Sequence, residues 1–319
     1  MLRQFQFQLL TFAWHINFSK MLNYLCLLLV GLVSGLEMPD GPQGPSHTVL
    51  KYDLLSNSEE GLTYPEGSLG AFVPQLWPAG VVNDELQEYV PEAAVQDPNT
   101  DEITITAKKE GDRITSARLE TYGVWSTAQS EDIKTHGYIE VRSTLPAKPN
   151  GENFMGSWPA IWMLGENGVD WPIHGEIDIV EVVNGDPTVV MSLHSTNHYG
   201  ADPQHPPINP YHLDADFTRY PLIAGFEWNV KEPMGEISLL WWFTYYDYGS
   251  WKTVHTVKVL QKKWESHDYY DFFDSFTGDG FSLLINLAEG GAMPQTDEVF
   301  VDGQPQFMNI SSVKVYGFE

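Results

Sequence analysis

At 319 residues, the chain is too long for a peptide or a small disulfide scaffold and suits one large β or α/β domain, or two ordinary ones. Its 42% hydrophobic and 19% charged residues exclude a disordered acidic tail and a multispan membrane protein. Seventeen Lys and Arg against 43 Asp and Glu give a net charge of −26, a field that repels nucleic acid, anionic lipid and anionic polysaccharide alike.

The first 35 residues contain no Asp or Glu and carry Arg3 and Lys20; they run uncharged from Leu22 to Val33 and end in the small residues Ser34 and Gly35. This is the pattern of a secretory leader. The apolar run is shorter than the ~20 residues that span a bilayer, so a cleaved signal peptide over residues 1–35 is expected ahead of an uncleaved anchor. Met21 is an alternative start. The single cysteine, Cys26, lies inside this leader, so the mature chain would hold no disulfide and must be stabilised by packing. Losing the leader removes two cations and no acid, which takes the net charge to −28 for residues 36–319. A secreted protein with no membrane attachment after cleavage is expected.

Beyond the leader no linker divides the chain. Short runs of β-favouring residues follow in order at 102–107, 137–145, 176–183, 189–194, 237–244, 253–260, 281–287 and 313–318, with proline and glycine between them. Long helical periodicity is absent. Many closely spaced strands without intervening helices predict antiparallel sheets in a sandwich or barrel, so residues 36–319 are expected to form one all-β domain. Aromatic residues make up 13% of the chain, more than a core usually asks for, so some rings are expected to face a ligand.

The chemistry is expected in the segment from His174 to Val183. Strand side chains alternate faces, so Glu176 and Asp178 share one face while Ile177 and Ile179 share the other. Glu181 has the wrong parity, and an unpaired carboxylate in the core costs several kcal/mol or more. A one-residue β-bulge at Ile179-Val180 removes the conflict and turns Glu176, Asp178 and Glu181 to one face. In so acidic a chain such a string also arises on a solvated strand face. The tryptophans just before it favour a site: Trp158, Ala160 and Trp162 alternate onto one face, followed by Trp171-Pro172. Flat rings beside paired carboxylates suit sugar stacking and glycoside hydrolysis, which needs one ionised and one protonated carboxyl group at the same bond. The stretch from Val182 to Val190 reads as a hairpin, which places His194 opposite Glu176 or Asp178 according to register.

These residues resemble glycoside hydrolase family 16, in its laminarinase-like branch of endo-β-1,3-glucanases. The likeness rests on the E-I-D-x-x-E string from Glu176 to Glu181 and on the order of the flanking segments. Those are Asn83-Asp84-Glu85-Leu86-Gln87, residues 103–108, Ser116-Ala117-Arg118-Leu119-Glu120, His136-Gly137-Tyr138, the Trp-Pro-Ala-Ile-Trp stretch and Ile285-Asn286-Leu287-Ala288-Glu289-Gly290-Gly291. It spans roughly residues 75–318. The resemblance implies a jelly-roll sandwich of two antiparallel sheets with a concave substrate cleft. It also implies Glu176 as nucleophile, Glu181 as general acid and then base, Asp178 as the carboxylate that sets which glutamate holds the proton, and a retaining outcome. Spacing alone fits a retaining or an inverting separation.

The resemblance further implies sugar-binding roles for Asn83, Arg118, Trp162 and Trp171, and a place near the acids for His194. Trp158 either lines the cleft or packs beneath the other rings, and Arg118 has a surface ion pair with Glu120 as its competing role. Many relatives bind a structural calcium through an Asp ahead of the last strand. Here that segment reads Ile310-Ser311-Ser312, which lacks the hard carboxylate and disfavours calcium; no other metal or cofactor is called for. The ring-rich run from Trp241 to Tyr248 either extends the cleft or packs the core, and the Gly249 that follows it suits a hairpin. Asn309-Ile310-Ser311 is a glycosylation acceptor motif. The expected function is a secreted, monomeric retaining endo-β-1,3-glucanase acting on a neutral β-glucan. A non-catalytic β-glucan-recognition protein and a β-1,3-1,4-glucanase or transglycosylase are the alternatives.

Overall fold

The computed structural model describes residues 38–46, 48–150, 154–165, 168, 170–196, 203–204, 207–231, 234–261, 270–296 and 304–319. The leader expected over residues 1–35, with Cys26, lies outside the described residues. The strands among them are, in chain order, β1 (Thr48–Asp53), β2 (Val73–Pro74), β3 (Glu88–Tyr89), β4 (Ala94–Gln96), β5 (Ile103–Glu110), β6 (Arg113–Ser116), β7 (Arg118–Glu120), β8 (His136–Thr144), β9 (Ser157–Gly165), β10 (Glu176–Glu181), β11 (Thr188–Thr196), β12 (Pro203–Gln204), β13 (Pro207–His212), β14 (Leu222–Lys231), β15 (Glu236–Asp247), β16 (Ser250–Gln261), β17 (Phe281–Glu289) and β18 (Gln306–Phe318). Two short helices accompany them, α1 (Glu131–Lys134) and α2 (Tyr270–Thr277).

The strands form two sheets. One has ten strands in the order β16-β15-β14-β8-β18-β5-β6-β3, with β1 on β18 and β4 on β5; the other has eight, β12-β11-β10-β9-β17-β7-β2, with β13 on β11. Pairing is antiparallel throughout except for the two-residue contact of β3 with β6. Between the sheets, Ile161 and Met163 of β9, Ile177 of β10, Leu193 of β11 and Ile285 of β17 meet Phe226 and Trp228 of β14, Trp241 and Phe243 of β15 and Val313 of β18, all essentially inaccessible to solvent. Alternation on β9 leaves Trp158, Ala160 and Trp162 on the outer face of the eight-stranded sheet.

Local chemistry sets the connections that matter for the site. Asn184 and Gly185 both take positive φ, 56° and 71°, and the Asp186 N–H donates to the Val183 carbonyl at 3.1 Å. This is the two-residue turn whose twist suits a hairpin, and it folds β11 back along β10. Tyr248 and Gly249 do the same between β15 and β16, with φ of 43° and 93°. The rings of β15 settle the alternative left open by the sequence. Trp241, Phe243 and Tyr245 face the core, and Trp242 stacks on His255 at 4.9 Å on the opposite face, so this run packs the ten-stranded sheet and does not extend a cleft.

Two elements escape the alternation rule. β14 is buried on nearly every residue, and its Gly225 is required because a Cβ there would lie 2.2 Å from the Tyr138 hydroxyl. Helix α2 is too short to show a period, yet Phe272, Phe273 and Phe276 are buried in it, the last 4.6 Å from the Phe281 ring. Asn309 lies within β18, where its side-chain carbonyl accepts from Thr104 Oγ1 at 2.8 Å and its amide donates to Thr144 Oγ1 at 3.0 Å.

Candidate active site

The bulge expected from the parity of Glu181 is present. Against β9, Asp178 pairs with Trp162 but Val180 with Ile161; against β11, Asp178 pairs with Ser192 but Glu181 with Val190. One extra residue therefore sits between Asp178 and Glu181, and Ile177, Ile179, Val180 and Val182 are all buried in the core. Glu176, Asp178 and Glu181 line one cavity of about 630 Å³ on the eight-stranded sheet, together with Trp158, Trp162, Trp171, Asn83, Arg118 and His194. Every residue given a catalytic or sugar-binding role from the sequence thus lines this one cavity.

Each acid has its own partners. Trp158 donates its indole N–H to Glu181 Oε1 at 2.9 Å, and Ser192 Oγ donates to Oε2 at 3.2 Å. Trp158 therefore lines the cleft and also holds an acid. Trp171, half exposed on the loop before β10, donates to Glu176 Oε2 at 3.0 Å. His194 resolves its two expected positions by taking both. It is the cross-strand partner of Glu176, and its Nε2 lies 3.0 Å from Asp178 Oδ2 and 3.5 Å from Glu176 Oε1.

Burial raises the Glu181 pKa to about 8, helped by the charge of Asp178 and then of Glu176, and opposed by the bonds from Trp158 and Ser192. Burial and the charge of Asp178 also push Glu176 well above the usual carboxylate range, while the Trp171 bond and the Arg118 charge act in the other direction. At His194, burial works against the charged form, but the Asp178 hydrogen bond and the charges of Asp178 and Glu181 outweigh it and raise the pKa. The cluster is a set of carboxyl groups that cannot all ionise together, beside an imidazole ready to carry the compensating proton. Glu176, Asp178 and His194 place one ligand atom each within 4.8 Å of one another, a spacing a divalent ion could bridge; among them His194 hydrogen-bonds Asp178 and lies 3.5 Å from Glu176.

At the β7 side of the cavity Arg118 is sandwiched between Trp77 and Trp162, its guanidinium carbon 4.8 Å from each ring centroid. It also donates to Glu120 at 2.6 Å. The ion pair considered from the sequence exists but is buried, with side-chain exposures of 8% and 5%, so it is no surface bridge. Trp162 donates to Asn286 Oδ1 at 2.7 Å, Asn286 to the Tyr89 hydroxyl at 3.2 Å, and Tyr89 to Glu85 Oε2 at 2.8 Å, where Gln87 also donates at 2.8 Å. This chain fixes the Trp162 ring. Burial raises the Glu85 pKa despite those bonds and the charge of Arg118. Glu85 and Gln87 were quoted from the sequence only as part of the flanking segment and, like Tyr89, were given no role, although their alternation at 85, 87 and 89 is a period-two signal. Trp77 carries no such signal.

A sandwich whose outer sheet face bears a cluster of carboxyl groups between indole rings, with Glu176 and Glu181 both raised above the usual carboxylate range, is a jelly roll carrying the kind of groups that glycoside hydrolysis uses. A family described as "XgeA-like, catalytic GH16 domain" matches residues 146–212. A β-glucanase of Rhodothermus marinus is 30% identical over 218 residues, covering 65% of this chain and 64% of that protein. A glucan endo-1,3-beta-glucosidase A1 of Niallia circulans is 26% identical over 188 residues, covering 57% and 24%. The chain thus spans less than two thirds of either curated relative. The solved laminarinase of Flavobacterium sp. UMI-01 superposes with a TM-score of 0.55 at 26% identity, over 84% of this chain and all of that one. Over residues 146–212 the chain is thus similar to catalytic domains of glycoside hydrolase family 16.

Proposed function

We propose that the protein is a secreted endo-β-1,3-glucanase that cleaves internal bonds of a neutral β-glucan with retention. The observation that carries this reading is the single bulge in β10, which sets Glu176, Asp178 and Glu181 on the floor of a cavity lined by Trp158, Trp162 and Trp171. The names of the similar glucanases and laminarinase support the substrate class. A net charge of −26 costs nothing against an uncharged polymer but opposes a sulfated one.

In the first step Glu176 attacks the anomeric carbon as a carboxylate, the glycosidic C–O bond breaks, and the proton on Glu181 passes to the departing oxygen. In the second, water attacks the glycosyl ester, Glu181 takes its proton, and Glu176 leaves as the carboxylate. Burial and Asp178 raise both glutamates; Glu181, raised to about 8, is the proposed proton donor, while at Glu176 the Trp171 bond and the Arg118 charge act toward the ionised form that attack requires. A non-catalytic glucan-recognition role fits poorly with both glutamates retained and facing one cavity.

The test is a panel of β-1,3-, mixed-linkage and β-1,4-glucans, with product anomers followed by NMR. Release of reducing sugar from the β-1,3 polymer with initial β-anomer, lost in Glu176→Gln without a change in thermal unfolding, supports the reading. Equal turnover by that variant, or initial α-anomer, would overturn it.

A further inference from the structure

The bulge that aligns the acids is tied to the opposite sheet. Trp241 of β15, fully buried, donates its indole N–H to the main-chain carbonyl of Asp178 at 3.2 Å. Asp178 is the last residue in register before the extra residue enters β10. Its peptide thus carries, on one side, the carboxylate that meets His194 and, on the other, the chain that turns Glu181 to the cleft. Trp241 is itself fixed by the Phe226 ring, edge-on at 5.1 Å. A bulge is the point where a ladder loses its cross-strand constraint, and this indole supplies a third point of attachment from outside the sheet. A displacement of about 1 Å at such a position is enough to cost a large factor in rate.

We infer that Trp241 is a positioning residue for the hydrolysis proposed above: its indole N–H holds the Asp178 peptide so that Asp178 and Glu181 keep the separation the reaction uses. The inference rests on that proposed reaction for its kinetic readout. It is separable from it, because the position of the acids can also be followed without turnover.

The molecule supplies its own control. Trp228 of β14 is equally buried in the same sheet but donates its indole N–H to the Ile133 carbonyl at 2.8 Å, in the segment before β8 and not on the strand that carries the acids. Phe in place of either Trp removes one buried indole-to-carbonyl bond and leaves a similar ring, so the folding penalty should be alike. The two variants should diverge in function. Trp241→Phe is expected to lower kcat about tenfold, or ~1.4 kcal/mol in barrier, with KM for a β-1,3-glucan within about twofold. Trp228→Phe should unfold at a similarly lowered temperature and keep kcat.

The second readout is the carboxyl titration of Glu181 by 13C NMR, which needs no substrate. Glu176 and Asp178 on β10 and His194 on β11 are the titratable groups around it, and β9 presents Trp158 and Ala160 there. Loosening the Asp178 peptide weakens its repulsion of the Glu181 charge, so the titration should move down in Trp241→Phe and stay in place in Trp228→Phe. Unchanged kcat and titration in Trp241→Phe, or equal changes in both variants, would overturn the inference. If no glucan is cleaved, the titration alone decides it, so failure of the proposed function and failure of the positioning role give different results.

Discussion

The Trp158 indole donates to Glu181 Oε1 at 2.9 Å from the neighbouring strand, so one of the cleft rings also tunes the acid it stands beside. That bond favours the ionised form and therefore holds the Glu181 pKa below where burial alone would take it. Trp158→Phe keeps most of the ring and removes the donor. The Glu181 proton should then be held more tightly, moving the alkaline limb of the kcat/KM profile to higher pH, with kcat lowered about tenfold. A limb that stays in place or moves down would detach Trp158 from the acid.

With Glu181 as the proposed general acid, activity should fall as pH rises through about 8, the value to which burial raises its pKa, because the group is useful there only while it carries its proton. Below that value Glu181 stays loaded, and the acid limb is set by ionisation of Glu176. Activity against a soluble β-1,3-glucan, measured from pH 4 to 10 at constant ionic strength, checks both limbs. A flat profile to pH 9.5 would mean that another group donates the proton.

The acids were legible in the sequence because the parity of Glu181 conflicts with a regular strand, and only a bulge or a buried charge resolves it. The bulge lies at the two residues that logic selects, Ile179 and Val180. Trp158 and Trp162 were legible by alternation, and His194 by hairpin reach. The ambiguity over its partner was real, since its backbone faces Glu176 while its ring bonds Asp178. What was hidden arrives through long-range contact. Trp77 reaches Arg118 from an isolated bridge to Tyr89, and Asn286 meets Tyr89 from 197 positions away in the chain. Helix α2 has too few turns to display a period, and β14 shows no alternation because both of its faces are covered.

The proposed binding role of Arg118 can be separated from its part in stability. Arg118→Ala removes the cation between Trp77 and Trp162 and leaves Glu120 buried without its partner. Loss of one member of a buried pair costs about 3–5 kcal/mol, and loss of a desolvated cation–ring contact costs ~2 kcal/mol. The variant should unfold at markedly lower temperature and show KM raised roughly tenfold. The double variant Arg118→Met, Glu120→Leu should recover the stability and keep the raised KM. Recovery of both together would make Arg118 a purely structural residue.

Glu289 is a charge-bearing group in the wrong place. It lies at the end of β17 opposite Ser157, is fully buried, and both of its carboxyl oxygens lack partners among the described residues, as does Ser157 Oγ. Burial alone pushes its pKa well above the ordinary range. Unfolded, the same group titrates at about 4.3, so the folded state holds a proton that the unfolded state releases. The sign follows: folding gains most below about pH 4, and that advantage is lost as pH rises toward the folded value. Glu289→Leu removes both the titration and the unpaired oxygens, whose burial costs about 1–3 kcal/mol. Its melting temperature should exceed that of the unmodified protein at pH 8 by several degrees and match it more nearly at pH 4. Glu289→Gln should flatten the same pH dependence while keeping most of the unpaired polar cost. Calorimetry of the three proteins at the two pH values checks this, and a Leu variant less stable than the parent at pH 8 would mean that the carboxyl group makes a stabilising contact there.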